Sequence, residues 1–208
     1  MARTKGAQGE ESRKRLLQAA AHEFATRGYD RATISGIAAG AGLTQGAFYL
    51  YFASKEAVYA ELVAVFRERI ENLVQKIDPY AGLPVAEVSE RQQAGLEAVF
   101  RFLTDDPDLT RVVLQSPEGE ALRRALALVI SKGLRAAQAA GYYRGDLAVD
   151  VVSECLVGIV ERLVVRWGLN GEQEPTLLAG AVSDFVLWGM AASRPDGSPS
   201  SHYMEGED

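Results

Sequence analysis

One cysteine and two histidines are all that 208 residues offer to thiol or imidazole chemistry. Cys155 has no partner for an intramolecular disulfide and lies in an apolar run, so it is expected as a small buried residue. His22 falls in a helical stretch and His202 in a polar tail, which suggests neither a two-histidine metal site nor a histidine-based triad. No stretch approaches the roughly 20 uninterrupted apolar residues of a membrane span. The start, MARTKGAQGEESRKR, lacks the apolar core of a secretory signal, so the cytoplasm is the expected location. Strand alternation, internal repeats and heptad runs are missing as well. GAGL at 40–43 follows a helix, whereas a dinucleotide-binding turn follows a strand. No cofactor, no metal and no catalytic residue are expected.

What is present is helical throughout, and its densest stretch is TISGIAAGAGLTQGAFYLYFASKEAV at 33–58. Thr33 is expected to cap a short helix that turns Ile34, Ile37 and Ala38 inward. Ala41-Gly42 supplies a tight connection, because Gly42 tolerates a positive φ, and Leu43 fills the corner. A second helix from Thr44 directs Ala47, Phe48 and Phe52 toward the core. Its outer face carries an amide, hydroxyls and phenols but no charge, which suits base edges and phosphates rather than plain solvation. Gln45 can bond an adenine edge through donor and acceptor, and Leu50 or Ala47 can touch a thymine methyl. Tyrosine hydroxyls and Thr44 can bond phosphate oxygens. Lys55, in a helix capped by Ser54, opposes the helix dipole at a cost of a few tenths of a kcal/mol, and a phosphate would compensate for it.

The net charge of −6 looks unsuited to a DNA binder until it is divided. Residues 1–55 hold eight Lys and Arg against four Asp and Glu, a balance of +4, which leaves −10 for the remainder. A positive end on an acidic body orients that end toward phosphates. Arg3 and Lys5 fall in a stretch expected to be a disordered arm.

Thr33, Ile37-Ala38, Ala41-Gly42, Gly46, Tyr49, Phe52 and Lys55-Glu56 together resemble the DNA-binding signature of the TetR family of bacterial transcriptional regulators. The likeness is close over residues 10–65 and architectural beyond. Tyr51 stands where that family often has histidine. The resemblance implies an all-α fold, with an N-terminal three-helix helix-turn-helix domain at 1–53 and a C-terminal helical ligand-binding and dimerisation domain at 54–193. A disordered tail follows at 194–208. Gln45, Gly46, Ala47 and Leu50 are then the base-reading candidates, and Thr33, Thr44, Tyr49, Tyr51 and Lys55 the phosphate-holding ones.

Periodicity orders the rest. Residues 11–27 form a helix with Leu16, Leu17, Ala20, Phe24 and Ala25 on one face, ended by Gly28. Ser54 begins a long helix to about Lys76, and a loop containing Pro79, Gly82 and Pro84 follows. Further helices are expected over 85–104, after Asp106-Pro107, after Ser116-Pro117 to near Gly141, over 147–167 capped by Asp146, and from Pro175 to about Ala192. The last two are apolar on more than one face, a surplus that suggests pairing with a second copy as a four-helix bundle.

The resemblance also implies a dimer whose C-terminal domain encloses a small molecule and so changes the spacing of two reading heads. A hydrophobic or aromatic effector would meet Phe66, Ile70, Phe100, Leu103, Leu126, Ile130 and Leu156, with Arg67, Arg101 and Tyr142 as polar handles. The expected partner is a palindromic duplex operator, and the expected activity is repression released by the effector. The alternative is a helical ligand-binding protein or enzyme that uses its N-terminal unit for protein contacts.

Overall fold

A computed structural model of the chain describes residues 2–76 and 85–190. Among these residues there are nine α-helices and no strand: α1 (Ala2–Arg27), α2 (Ile34–Gly40), α3 (Gln45–Phe48), α4 (Lys55–Lys76), α5 (Val85–Asp105), α6 (Pro107–Leu114), α7 (Pro117–Ala139), α8 (Val149–Leu163) and α9 (Pro175–Met190). The all-α expectation holds. The loop expected around Pro79–Pro84 and the tail at 194–208 lie outside the described residues. No helix among them is long and apolar enough to cross a membrane. The chain divides into two compact units, the first running to Asn72 and resuming over Asp106–Glu120, the second comprising Leu73–Asp105 and the chain from Ala121 onward.

In the first unit, α1 buries Leu16, Ala20, Ala21 and Phe24 and packs on α2 and α6. Gly28, at φ +77°, ends it in the left-handed region that an ordinary side chain avoids. The helix begins at Ala2 rather than at residue 11, so Arg3 and Lys5 are helical and not in an irregular arm. Residues 2–10 lack an apolar stripe, so periodicity could not reveal this turn; Ala, Arg, Lys and Gln favour a helix without one. α6 starts as expected, with Asp106 Oδ1 accepting from the Leu109 amide at 3.0 Å and Pro107 in its first turn. Ser116 Oγ likewise accepts from the Gly119 amide at 3.1 Å at the head of α7. His22 Nδ1 and Asp108 Oδ2, 2.8 Å apart, tie α1 to α6.

In the second unit, α5 lies against α9. Val88, Phe100 and Leu103 from α5 and Leu178, Ala179, Val182 and Val186 from α9 are buried. Arg123 grips both carboxylate oxygens of Glu161, at 2.6 and 2.7 Å, joining α7 to α8. Asp146 does not cap α8. The helix starts later, behind Ala148 with no side-chain cap, and Asp146 pairs with Arg144 at 3.3 Å. α8 also ends early, passing into a π-helical turn over Val164–Gly168.

The buried stripe of α8 runs through Val149, Ser153 and Val157 to the wholly buried Val164 of the π turn. Cys155 is therefore exposed and not buried as expected, because two residues beyond Ser153 the helix has turned by about 200°.

Candidate nucleic-acid interface

The turn between α2 and α3 is built by capping and by one glycine. Thr33 Oγ1 accepts from the Gly36 amide at 3.0 Å and fixes the start of α2, whose Ile37 and Ala38 are buried. Glu23 supports the same end, its Oε1 accepting from the Thr33 amide at 3.4 Å. Ala41 is buried, and Gly42 takes φ +67°. Thr44 Oγ1 then accepts from the Ala47 amide at 3.2 Å and starts α3.

α3 is shorter than expected. Only Gln45–Phe48 is α-helical, after which the amides of Leu50 and Tyr51 bond three residues back, to Ala47 O at 3.2 Å and Phe48 O at 2.9 Å. Phe48 is fully buried and Phe52 nearly so, with ring centroids 5.7 Å apart. Ala47 is half-buried. These anchors turn Thr44, Gln45 and Gly46 outward, leave Tyr49 51% and Leu50 81% exposed, and half-bury Tyr51. Covering a leucine left this bare would contribute about 1.5–3 kcal/mol.

Lys55 is placed differently from the other candidates. Ser54 Oγ accepts from the Ala57 amide at 3.2 Å, as the expected cap does. The Lys55 ammonium, however, donates to Tyr29 O at 2.8 Å and Ala32 O at 3.2 Å, with Asp30 O at 3.5 Å, and stands 4.5 Å from the Tyr29 ring centroid. Carbonyls of the segment between α1 and α2 thus meet the charge for which the sequence offered only a phosphate. Tyr29 itself was not singled out. Its hydroxyl donates to Glu56 Oε1 at 3.1 Å, and its ring packs edge-on against Tyr59 at 4.8 Å. Arg13 was also missed: it pairs with Glu61 and lies 5.1 Å from the Phe52 centroid. Neither contact has a local signature, since each joins residues far apart in the chain.

The chain is 43% identical to an uncharacterized HTH-type transcriptional regulator, YdgC of Bacillus subtilis, over 88% of its own length and 94% of that protein. Residues 16–62 match the family described as bacterial regulatory proteins, tetR family. The chain belongs to the TetR family. The HTH-type transcriptional repressor KstR2 of Mycobacterium tuberculosis is 28% identical over 67% of this chain and 73% of its own. In fold, the crystal structure of a gamma-butyrolactone receptor superposes with a TM-score of 0.66 at 24% identity, covering 88% of this chain and 90% of that one. This protein is accordingly a DNA-binding transcriptional regulator, and its relatives are regulators and not enzymes.

The effector candidates of this TetR-family chain fall in both units. Phe66, Arg67 and Ile70 belong to the first, where Phe66 and Ile70 are buried and Arg67 is exposed. The second holds Phe100 and Leu103, both buried, and Leu126, Ile130, Tyr142 and Leu156, all half-buried. Arg101 is exposed and already engaged: it donates twice to Glu97 Oε1, at 2.8 and 2.6 Å, and to Thr176 Oγ1 at 3.1 Å. That guanidinium holds the Glu97 carboxyl below its ordinary range, with the Thr176 hydroxyl assisting. A buried polar pair that the sequence did not reveal lies in the same unit, Tyr143 donating to Gln92 Oε1 at 2.7 Å.

Proposed function

We propose that this TetR-family regulator is a dimeric repressor that binds a palindromic operator and is released by a small molecule. The uncharged, outward surface of α3 carries the proposal: Thr44, Gln45, Gly46, Tyr49 and Leu50 stand exposed on a segment held from behind by Phe48 and Phe52. Gln45, Gly46, Ala47 and Leu50 read bases, while Thr33, Thr44, Tyr49 and Tyr51 hold phosphates. The working division keeps residues 1–53 as the reading head, 54–193 as the effector and dimer domain and 194–208 as a tail.

The dimer is supported by apolar surface left bare in one copy. Val151 of α8 is 62% exposed, and Leu177 and Phe185 of α9 are 57% and 67% exposed. Exposed apolar surface of this kind marks a partner site, and two helices meeting their symmetry mates would cover it. Two heads held about 34–36 Å apart would enter successive major grooves.

The effector is a small hydrophobic or aromatic molecule, met in the second unit by Phe100, Leu103, Leu126, Ile130, Tyr142 and Leu156. The half-burial of Leu126, Ile130 and Leu156 supports this choice. So does the likeness in fold to a protein named as a gamma-butyrolactone receptor. Repression is favoured by the relative named as a repressor. Selection of bound duplexes from a random DNA pool tests the DNA part directly. An inverted repeat with half-sites one helical turn apart is expected, and recovery of a lone half-site would overturn the dimeric operator.

A further inference from the structure

We infer that the effector site of the second unit is keyed by Gln92, whose side-chain amide donates to a neutral carbonyl oxygen on the bound molecule: a ketone, ester or amide carried on an apolar body. The inference rests on the effector reading above and names the polar chemistry that reading left open. Gln92 lies on the buried stripe of α5 and is only 5% exposed. A glutamine side chain offers one acceptor oxygen and two N–H donors. The oxygen is taken, by the Tyr143 hydroxyl at 2.7 Å. Among the described residues nothing accepts from the nitrogen. Burying an amide with its donors unmet is costly, and a position that served packing alone would be better filled by an apolar side chain.

The tyrosine decides which end of the amide is offered. Tyr143 is itself 3% exposed, and its hydroxyl, donating to Oε1, keeps the amide from turning over and leaves the N–H end as the one presented. Tyr143 follows the C-terminal end of α7, so the bond brings Gln92 to that end. From there α5 carries Leu96, Val99 and Leu103 on the same face as Gln92, over roughly 16 Å of helix. α7 leads back through Ile130 and Leu126, both half-buried, to Arg123, which holds both carboxylate oxygens of Glu161 in α8. The apolar candidates thus lie between two polar clasps, and the Gln92 clasp has donors to spare. The guanidinium groups of Arg101, Arg123 and Arg144 are already met by Glu97, Glu161 and Asp146, which favours a neutral carbonyl over a carboxylate.

The test measures Kd by calorimetry for the full chain as wild type, Gln92→Leu and Tyr143→Phe. Three probes share one shape: benzophenone carries an acceptor, diphenylamine a donor and diphenylmethane neither. 2-Nonanone and nonane repeat the comparison on an aliphatic skeleton. Wild type is expected to bind each ketone about tenfold more tightly than its hydrocarbon, the worth of one hydrogen bond, and to prefer benzophenone to diphenylamine. Gln92→Leu should bind ketone and hydrocarbon alike. Tyr143→Phe should still bind but lose the preference for benzophenone over diphenylamine, since the released amide can turn either end to the ligand.

Equal binding of ketone and hydrocarbon by wild type would overturn the inference, as would a ketone preference that survives in Gln92→Leu. A purely structural Gln92 would weaken all probes together and leave their ratios as in wild type, which also overturns it. If Gln92→Leu yields no folded protein, the wild-type ratios and those of Tyr143→Phe decide. Wild type that binds none of the five compounds would instead remove the effector reading beneath the inference.

Discussion

Tyr29 and Glu56 are joined by a hydrogen bond of 3.1 Å from phenol to carboxylate, across 27 positions of the chain. Burial pushes the Tyr29 phenol up from its ordinary value, and the bond to Glu56 adds to this. Glu56 is held down, first by the Ser54 hydroxyl, then by its own backbone amide and by Tyr29. A carboxyl depressed in the folded state contributes stability above its unfolded value, and that contribution is lost as pH falls through the folded value. Thermal melts taken from neutral pH down past about 4 should therefore show an acid-side loss that Glu56→Gln reduces. An unchanged acid limb in Glu56→Gln would contradict the role given to this carboxylate.

Gly46→Ala tests the proposed DNA contact separately from folding. A Cβ built there meets nothing closer than Thr44 Oγ1 at 3.9 Å, and its φ is not positive, so neither packing nor backbone conformation requires glycine. Gly46→Ala should leave stability unchanged or raise it by up to about 1 kcal/mol, as alanine does in a helix. Operator affinity should fall about tenfold or more, equivalent to ~1.4 kcal/mol, because the methyl stands between α3 and the groove. Melts and binding titrations on the same preparation measure both effects.

Phe185 repeats the exposed face of Leu177 and Ala181 at four-residue spacing along α9. Phe185→Glu is expected to keep the helical content of the protein, since the ring is 67% exposed in one copy. In size-exclusion with light scattering it should elute as a monomer. Affinity for a two-half-site operator should drop roughly a hundredfold, as joined binding is lost. A dimer of wild-type stability would place the interface elsewhere.

Gly168 ends the π-helical turn against α5. A Cβ there would lie 2.9 Å from Thr104 Cγ2. Thr104 has little room to yield, because its hydroxyl donates to Phe100 O at 2.9 Å and Arg101 O at 3.3 Å. Gly168→Ala should cost about 1–3 kcal/mol in urea unfolding, the usual penalty of overpacking. Thr104→Ser, which deletes the opposing methyl, should recover most of it.

Capping and short apolar periods were legible from sequence because their chemistry is local. Thr33, Ser54, Asp106 and Ser116 each bond an amide three residues on, as their positions predicted, and Thr44, expected only to begin its helix and to meet a phosphate, does the same. The first helical turns of α1 and the true start of α8 were not legible, since one lacks an apolar stripe and the other lacks a capping side chain. Cys155 shows the limit of composition: an apolar run specifies a buried helix, but only the packing of Val149, Ser153 and Val157 decides which way its rim faces.

The site divides along the same line. Local order along the chain determined that Gln45, Gly46, Tyr49 and Leu50 would share an outer face, because the fully buried Phe48 and nearly buried Phe52 fix the opposite one. The placement of Lys55 on the carbonyls that follow α1, of Arg101 on Glu97 and Thr176, and of Tyr143 on Gln92 was decided by tertiary structure alone. A long side chain can serve any partner within reach of its stem, and the fold decides which partner comes within reach.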